Sequence, residues 1–503
     1  MPDTTQITSN PVIATDPVDA EVNTAAVPDT AARNRLVIGI LMVSTFVVIL
    51  NETIIGVALP QFLKQLSIDA SAGQWLSAAF MLTMAVVIPI TGFLLQRFNT
   101  KPIFIAAMSF FSAGTLIAIL APNFDVLLVA RVVQACGTAI MFPLLITTVM
   151  ELVPPATRGR TMGNISIVIS VAPAIGPSIS GVIINSLHAW QWLFILVLPI
   201  ALAALIIGGI RVKNVTVPKK TKFDVPSVIL SAFGFGGLVY GISNLGTAAA
   251  DTILFQGWIP LVVGIVGIIL FVLRQLPLQK RDGALLDLRT FKSPTFTFSI
   301  LMLVVSMMAF FGTIIVLPIY LETVLGLSPI NTGLLLLPGG LLMGFLAPFV
   351  GRFYDKYGPT ALLTTGAVLT SLTFWWMTTF DSETNVWLVF IAYLVLSIAL
   401  ALLFTPIFTA SLGSLPESLY SHGSATVGTV QQVAGAAGTA LLVTILSSHQ
   451  VFNSSTGLAT VGSTAIGIHW SFFTAAIISL LAIPAAFFVR PPAVTNDQPH
   501  TAH

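Results

Sequence analysis

The chain has 503 residues, of which 56% are apolar and only 8% charged, and its net charge is +2 at neutral pH. Soluble domains carry about 25% charged residues, so this composition cannot cover the whole chain with a water-exposed surface. A single cysteine, Cys136, excludes an intramolecular disulfide and a thiolate metal cluster.

Residues 1–35 are polar and rich in Thr, Ala, Pro and Asp. They lack the basic start and short apolar core of a signal peptide and are expected to form a disordered cytoplasmic tail. Apolar runs long enough to cross a hydrocarbon core of about 30 Å then recur along the chain. Six of them, at 36–59, 75–95, 103–120, 127–150, 162–187 and 192–210, predict an N-terminal bundle over 36–210. Two more, at 228–245 and 255–273, lie within 211–295 between basic loops. The last six, at 296–321, 332–350, 361–380, 386–410, 424–447 and 469–489, predict a C-terminal bundle over 296–490, with 491–503 as a second cytoplasmic tail. The expected fold is all-α and integral to the membrane, with two six-helix bundles, two accessory helices and fourteen spans.

Basic residues test this count, because Lys and Arg accumulate in cytoplasmic loops. With both termini inside, Arg33, Arg35, Arg97, Lys101, Arg158, Arg160, the groups 211–222 and 274–292, Arg352, Lys356 and Arg490 share the cytoplasmic side. Only Lys64 falls outside, and only Arg131 lies within a span. Adding or removing one span would move whole clusters to the wrong face. A faint repeat supports two related halves: GFLLQRFNTKP from Gly92 follows span 2, and GRFYDKYGP from Gly351 follows span 10.

An ionisable side chain in mid-membrane costs several kcal/mol and ordinarily faces a bundle interior or cavity. Glu52 in span 1 and Arg131 in span 4 sit at matched depth, roughly 10 Å below the outer face at 1.5 Å per residue, and are expected to pair. Burial and a neighbouring cation act on a carboxylate in opposite senses, so such an acid can gain and lose a proton as access to it changes. A pair that merely locks spans 1 and 4 together is the alternative. Arg131, Gln134 and Thr138 share one helix face, and Asn51 and Thr53 flank the acid, all suited to a wet cavity. Gly428, Gln432, Gly435 and Thr439 form a stripe in span 13 that reads either as cavity lining or as a packing surface. Glu322 at the outer end of span 9 is a candidate for binding cations or a solvated acid. In span 5, APAIGPSISG places Pro173, Gly176, Pro177 and Gly181 where a helix can bend and a neighbour can come close, as a pivot or as a static kink.

No phosphate-cradling loop ending in Lys-Ser or Lys-Thr is present, so nothing points to ATP as the driving force. His188, His422, His449, His469, His500 and His503 are scattered, read as loop and tail residues, and lack metal-ligand spacing. No nucleophile has a nearby base. Neither a metal, another cofactor nor a nucleic-acid partner is expected, and the chain reads as no enzyme.

Together these motifs resemble the major facilitator superfamily, in particular its fourteen-span drug:proton antiporter branch. LNETIIGVALP, from Leu50, is similar to the branch's L-D-x-T-I-V-N-V-A-L-P, with Asn51 in the acid's place and Glu52 after it. RVVQACGTA, from Arg131, resembles R-x-x-Q-G-x-G-x-A, where the Arg is implicated in proton handling. The span 5 sequence resembles G-P-x-x-G-G, associated in the family with exporters, with Ser180 in place of a Gly. WQWLF from Trp190, ALLDLRTF from Ala284 and HGSA from His422 also look like branch features. After span 2 the family's acid is replaced by Gln96, whereas Asp355 keeps it after span 10. A charge-based latch, with Gly92, Arg97, Gly351 and Asp355 as gating residues, is therefore expected in the C-terminal half alone. The resemblance implies a monomeric, proton-driven antiporter in the cytoplasmic membrane that exports small lipophilic compounds, cationic or neutral. A carrier for a defined metabolite, such as an amino acid, organic acid or siderophore, is the alternative.

Overall fold

The computed structural model describes residues 27–66, 68, 70–187, 189–214, 224–245, 252–281, 283–455 and 460–490. The expectations for residues 1–26, for the basic stretch 215–223 and for the tail from 491 lie outside these residues.

Each expected span is a helix. The first six are α1 Val27–Gln65, α2 Ala70–Arg97, α3 Thr100–Ile119, α4 Phe124–Leu152, α5 Arg158–Leu187 and α6 Gln191–Arg211. The middle three are α7 Val225–Leu245, α8 Leu254–Arg281 and α9 Pro294–Val324. Then come α10 Pro329–Tyr357, α11 Pro359–Met377, α12 Val386–Gly413 and α13 Tyr420–Ser455, followed by α14 Val461–Phe488. Thirteen of them are long and apolar enough to cross a membrane, and α11, 19 residues with threonine at 360, 364, 365, 370 and 373, is the one left out. Packing against α12 and α14 offsets that polarity, since Thr370 and Thr373 are buried.

Helices are what lipid demands, because every backbone N–H and C=O must be satisfied within the segment. Where helices begin, side chains accept the orphan amides: Asn123, Asp224, Ser293, Ser328 and Asn385 each take an N–H two or three residues ahead. Between α10 and α11 the chain turns on Gly358, whose φ of 78° suits glycine, and Pro359 opens the next helix.

Two bundles result. In the first, α3 lies on α4 and α6, α1 on α5, and α2 on α4; in the second, α9 lies on α13, α11 on α12, and α13 on α14. Small residues set these distances, as expected where lipid offers no hydrophobic drive between helices. At Gly114 a Cβ would lie 2.6 Å from the Gln134 nitrogen, and at Gly137 it would collide with the Ala107 carbonyl oxygen, so α3 and α4 are nearly in backbone contact. The bundles meet along two seams, α5 against α10 and α2 against α13.

The accessory helices α7 and α8 zip together through glycine: Gly234 faces Gly267, and Gly237 faces Gly264. Their pair lies against α2 and α13, with Trp75 of α2 stacked 5.7 Å from Tyr240 of α7. At one end Asp224 accepts two 2.7 Å hydrogen bonds from Arg274 and also bonds Ser227. The Arg274 guanidinium is the main reason that the Asp224 carboxyl falls to about 2, with burial opposing it.

Two tests follow from this packing. Gly137→Val forces a branched side chain into the α3–α4 contact, and overpacking of this kind costs about 1–3 kcal/mol. The purified variant should therefore melt well below the parent, while Gly333→Ala, whose Cβ meets nothing within 4 Å, should melt like it. For Asp224, a folded-state value below the unfolded 3.8 means that its stabilisation is present above 3.8 and is lost as pH falls towards about 2. Asp224→Asn should thus lower the melting temperature at neutral pH, and the gap should close across that acidic window.

Candidate functional site

Arg131 is 1% exposed in the middle of the first bundle, and its surroundings explain how a cation is tolerated there. Its guanidinium donates to Asn51 Oδ1 at 3.1 Å and to Gln134 Oε1 at 2.9 Å, and lies 4.1 Å from the centre of the Phe80 ring. Gln134 in turn donates to Thr115 Oγ1 at 2.9 Å, a reach that the glycine-lined α3–α4 contact makes possible. Thr138 turns back to the Gln134 carbonyl at 3.1 Å. Arg131, Gln134 and Thr138 are thus contiguous as their spacing implies, but their partners are α1, α2 and α3 side chains.

The expected Arg131–Glu52 pair is not what forms. Among the described residues no hydrogen bond or ion pair joins the two, and the guanidinium binds the neighbouring Asn51 amide. The cause is helical phase: one residue is about 100° of rotation, so Asn51 and Glu52 cannot both face α4. Thr53, another step round, lies against α5, where its Oγ1 is 3.5 Å from the Ala172 carbonyl oxygen and blocks any side chain at Gly176. Glu52 is left half-buried on the α1 surface between the α4 and α5 contacts, close enough for its charge and that of Arg131 to act on each other. The helix itself continues past the expected span to Gln65, thirteen residues beyond Glu52.

The remaining candidates separate. Gln432 lies in the α2–α13 seam, its Nε2 3.9 Å from Met84 Sδ, and Gly428 packs near Ile88 in the same seam. Gly435 instead meets Phe311 of α9, so the span 13 stripe is divided between two neighbours. Glu322 is half-buried in a π-turn at 320–324, at the end of the molecule away from Asp355. Pro173 is half-buried and Pro177 is helical in α5, Gly176 receives Thr53, and Gly181 has no neighbour within 4 Å.

At the basic end the two bundles are joined. The Asp355 carboxylate accepts from the backbone N–H of Gly159 at 2.7 Å and of Arg160 at 2.8 Å, capping the start of α5 from the end of α10. Gly351 sits directly on Gly159. Arg158 sends its side chain the other way, donating to Met150 O at 2.8 Å and Val153 O at 3.0 Å at the end of α4, with the Tyr420 ring 5.4 Å away. On the second seam Gly92 packs against Ala425 and His422, and Gln96 Nε2 donates to Ser418 O at 3.1 Å. Arg97 is exposed at this end. Deeper in, Thr147 bonds Ser424 at 2.7 Å and Thr405 bonds Ser166 at 2.9 Å, each across the bundles. Contact along α5 and α10 reaches Gly340 and Ala174, and a Cβ at Gly181 or Gly333 would meet nothing within 4 Å. Among the described residues, the bundles are joined by hydrogen bonds at the basic end.

Three features escaped the sequence reading. Arg158 reads there as one more loop cation, Phe80 as one more apolar residue, and His422, His449 and His469 as loop residues although all three are helical. Only the Pro-Pro turn before Arg158 hints at a fixed helix end, since the contacts themselves are remote in sequence.

Two bundles around a polar core, closed at one end, define a multi-pass membrane transporter. The sequence model of the Major Facilitator Superfamily matches residues 41–439, and the chain belongs to that family. It is therefore a transporter and not an enzyme. It is 40% identical over 469 residues to the uncharacterized MFS-type transporter YcnB of Bacillus subtilis, covering 92% of this chain and 96% of the relative. It is 37% identical over 462 residues to the lincomycin resistance protein LmrB of the same organism, covering 90% and 94%. Among solved structures it resembles the human organic anion transporter MFSD10 with a TM-score of 0.63 and 13% identity, over 90% of this chain and 99% of that one, a likeness of fold.

The Asp355 cap is open to a direct test. A lost helix cap costs about 0.5–2 kcal/mol, so Asp355→Ala should lower the melting temperature of the purified protein. Asp355→Asn, which keeps one acceptor but no charge, should fall between. A parent-like melt for Asp355→Ala would mean that the carboxylate does not hold the bundles.

Proposed function

We propose that the chain is a proton-coupled antiporter that exports small lipophilic compounds, cationic or neutral, across the cytoplasmic membrane. Both termini and the basic end lie in the cytoplasm, the carrier works as a monomer, and its energy source is the proton gradient. In this reading the present shape is the outward-facing one.

The observation that carries the reading is Glu52, an acid half-buried on α1 between its contacts to α4 and α5, one residue from Asn51, whose Oδ1 accepts from Arg131. Arg131 is held by neutral groups that bind its guanidinium without cancelling its charge. A neighbouring cation and the loss of water act on a carboxylate in opposite senses, so the state of such an acid depends on water access. Such an acid takes a proton from the open side, and as the bundles rock it releases the proton to the other side while substrate travels outward. The lincomycin-resistance name of LmrB supports a drug as the substrate, and the Gly176-Pro177 stretch supports export by its resemblance to the exporters' motif.

Glu52→Gln separates the roles. It should leave protein abundance and melting temperature near those of the parent. Substrate-driven proton release, read with a pH-sensitive dye in inverted vesicles, should fall to the background of empty vesicles. Proton-driven export that survived the substitution would remove Glu52 from the mechanism. A panel of dyes and antibiotics in an overproducing strain tests the substrate class, and protection by none of them would favour a metabolite carrier.

A further inference from the structure

The two seams are closed by different means. On the α5–α10 seam a carboxylate, Asp355, sits on the first amides of α5. On the α2–α13 seam the corresponding position is Gln96, whose amide donates to the Ser418 carbonyl and so caps no α13 amide. This neutral contact is the weaker of the two, since hydrogen bonds to a charged group are roughly twice as strong as neutral ones.

At that weaker seam a second element is inserted. Leu285 and Leu286, 2% and 5% exposed, pack in one cluster with Phe93 of α2, Ala425 of α13 and Phe271 of α8. Val228, Phe235 and Val272 of the accessory pair border the same cluster. The two leucines belong to the loop between α8 and α9 and are exposed to neither lipid nor water. Gln275 of α8 fixes them: its Oε1 accepts the Leu285 N–H at 2.7 Å while its Nε2 donates to Ser227 Oγ of α7 at 2.8 Å. Next to it Arg274 clasps Asp224 at the start of α7. One polar knot thus ties α7, α8 and the loop together, and the loop delivers two leucines to the junction of both bundles.

We propose that the accessory pair controls opening of the basic end through this loop: Leu285 and Leu286 form a wedge, held by the Gln275–Ser227 and Asp224–Arg274 contacts, that fastens the α2–α13 seam where the carboxylate is missing. The wedge favours the closed state because its apolar burial needs both Phe93 and Ala425, which belong to opposite bundles. A contact made in one state only shifts the equilibrium towards that state. The proposal rests on the rocking cycle of the proposed function, but its test requires neither substrate nor proton coupling.

Cys136 is the sole cysteine, so a Cys136→Ser background accepts single reporters. Ser424→Cys, against Thr147, and Ser166→Cys, against Thr405, are buried reporters of the two inter-bundle contacts and lie outside the wedge. Their maleimide labelling rates are measured in permeabilised membranes, with melting curves to show that each variant is folded. Leu285→Ala combined with Leu286→Ala should raise both rates by about tenfold, the scale of losing part of a buried leucine contact. Gln275→Ala should give a smaller rise at both reporters. Asp224→Arg combined with Arg274→Asp, which exchanges the two charges and keeps the ion pair, should retain the parent rates. Faster labelling at neither reporter, or at Ser424→Cys alone, would overturn the proposal. Asp355→Ala serves as control: if it accelerates both reporters and the leucine variant does not, the wedge fails alone, and if it accelerates neither, the rocking reading fails as well.

Discussion

A helix that starts in a membrane protein presents several N–H groups with no partner inside the helix and a partial positive charge. The closed end of this molecule is organised around one answer to that problem. Asp355 reaches from α10 to the Gly159 and Arg160 amides of α5, and the approach is possible only because Gly351 and Gly159 have no side chains to separate the backbones. Arg158, immediately before, turns to the opposite kind of helix end and satisfies two terminal carbonyls of α4. A few residues therefore bind the positive end of α5 to the facing bundle and, within their own bundle, the negative end of α4 to α5. Once this end is fixed, α5 and α10 run together as far as the Gly340–Ala174 contact.

The polar core obeys a different constraint. A buried guanidinium has five donors and must spend them, and here it does so on amide oxygens and an aromatic face. Pairing with a carboxylate would have neutralised Arg131 and made both groups structural. Binding Asn51 keeps the cation in place yet leaves its field to act on Glu52 nearby. The one-residue displacement of the acid relative to the resembled motif thus changes the relation of the two charges from a bonded pair to an action at a distance. Thr53 completes the arrangement, because its contact with α5 at Ala172 and Gly176 places the carboxylate beside the helix that Asp355 holds at its far end.

How much of this was legible depended on whether a property belongs to one helix or to two. Span number and fold class follow from composition and length, quantities local to each segment, and the distribution of basic loops fixes the even count that includes the polar α11. Asp355 and the loss of its counterpart at Gln96 were visible because each sits in a recognisable loop pattern. Matched depth suggested that Glu52 and Arg131 meet, but depth is only one of two coordinates, and the rotation of α1 decides which of three neighbouring polar residues faces α4. Phe80 beneath Arg131, Arg158 on Tyr420 and the split of the α13 glycines between α2 and α9 all depend on the register of separate helices, which no single segment encodes.

Unequal seams give the accessory pair a physical reason to exist. Here the α2–α13 side has a neutral Gln96 contact, and the same side is where α7 and α8 pack and where Leu285 and Leu286 are inserted. An apolar contact differs from a charged cap in what undoes it: burial is non-directional and tolerates sliding, whereas the Asp355 hydrogen bonds break within a fraction of an ångström. The Asp355 side is thus held by directional bonds and the accessory side by apolar burial.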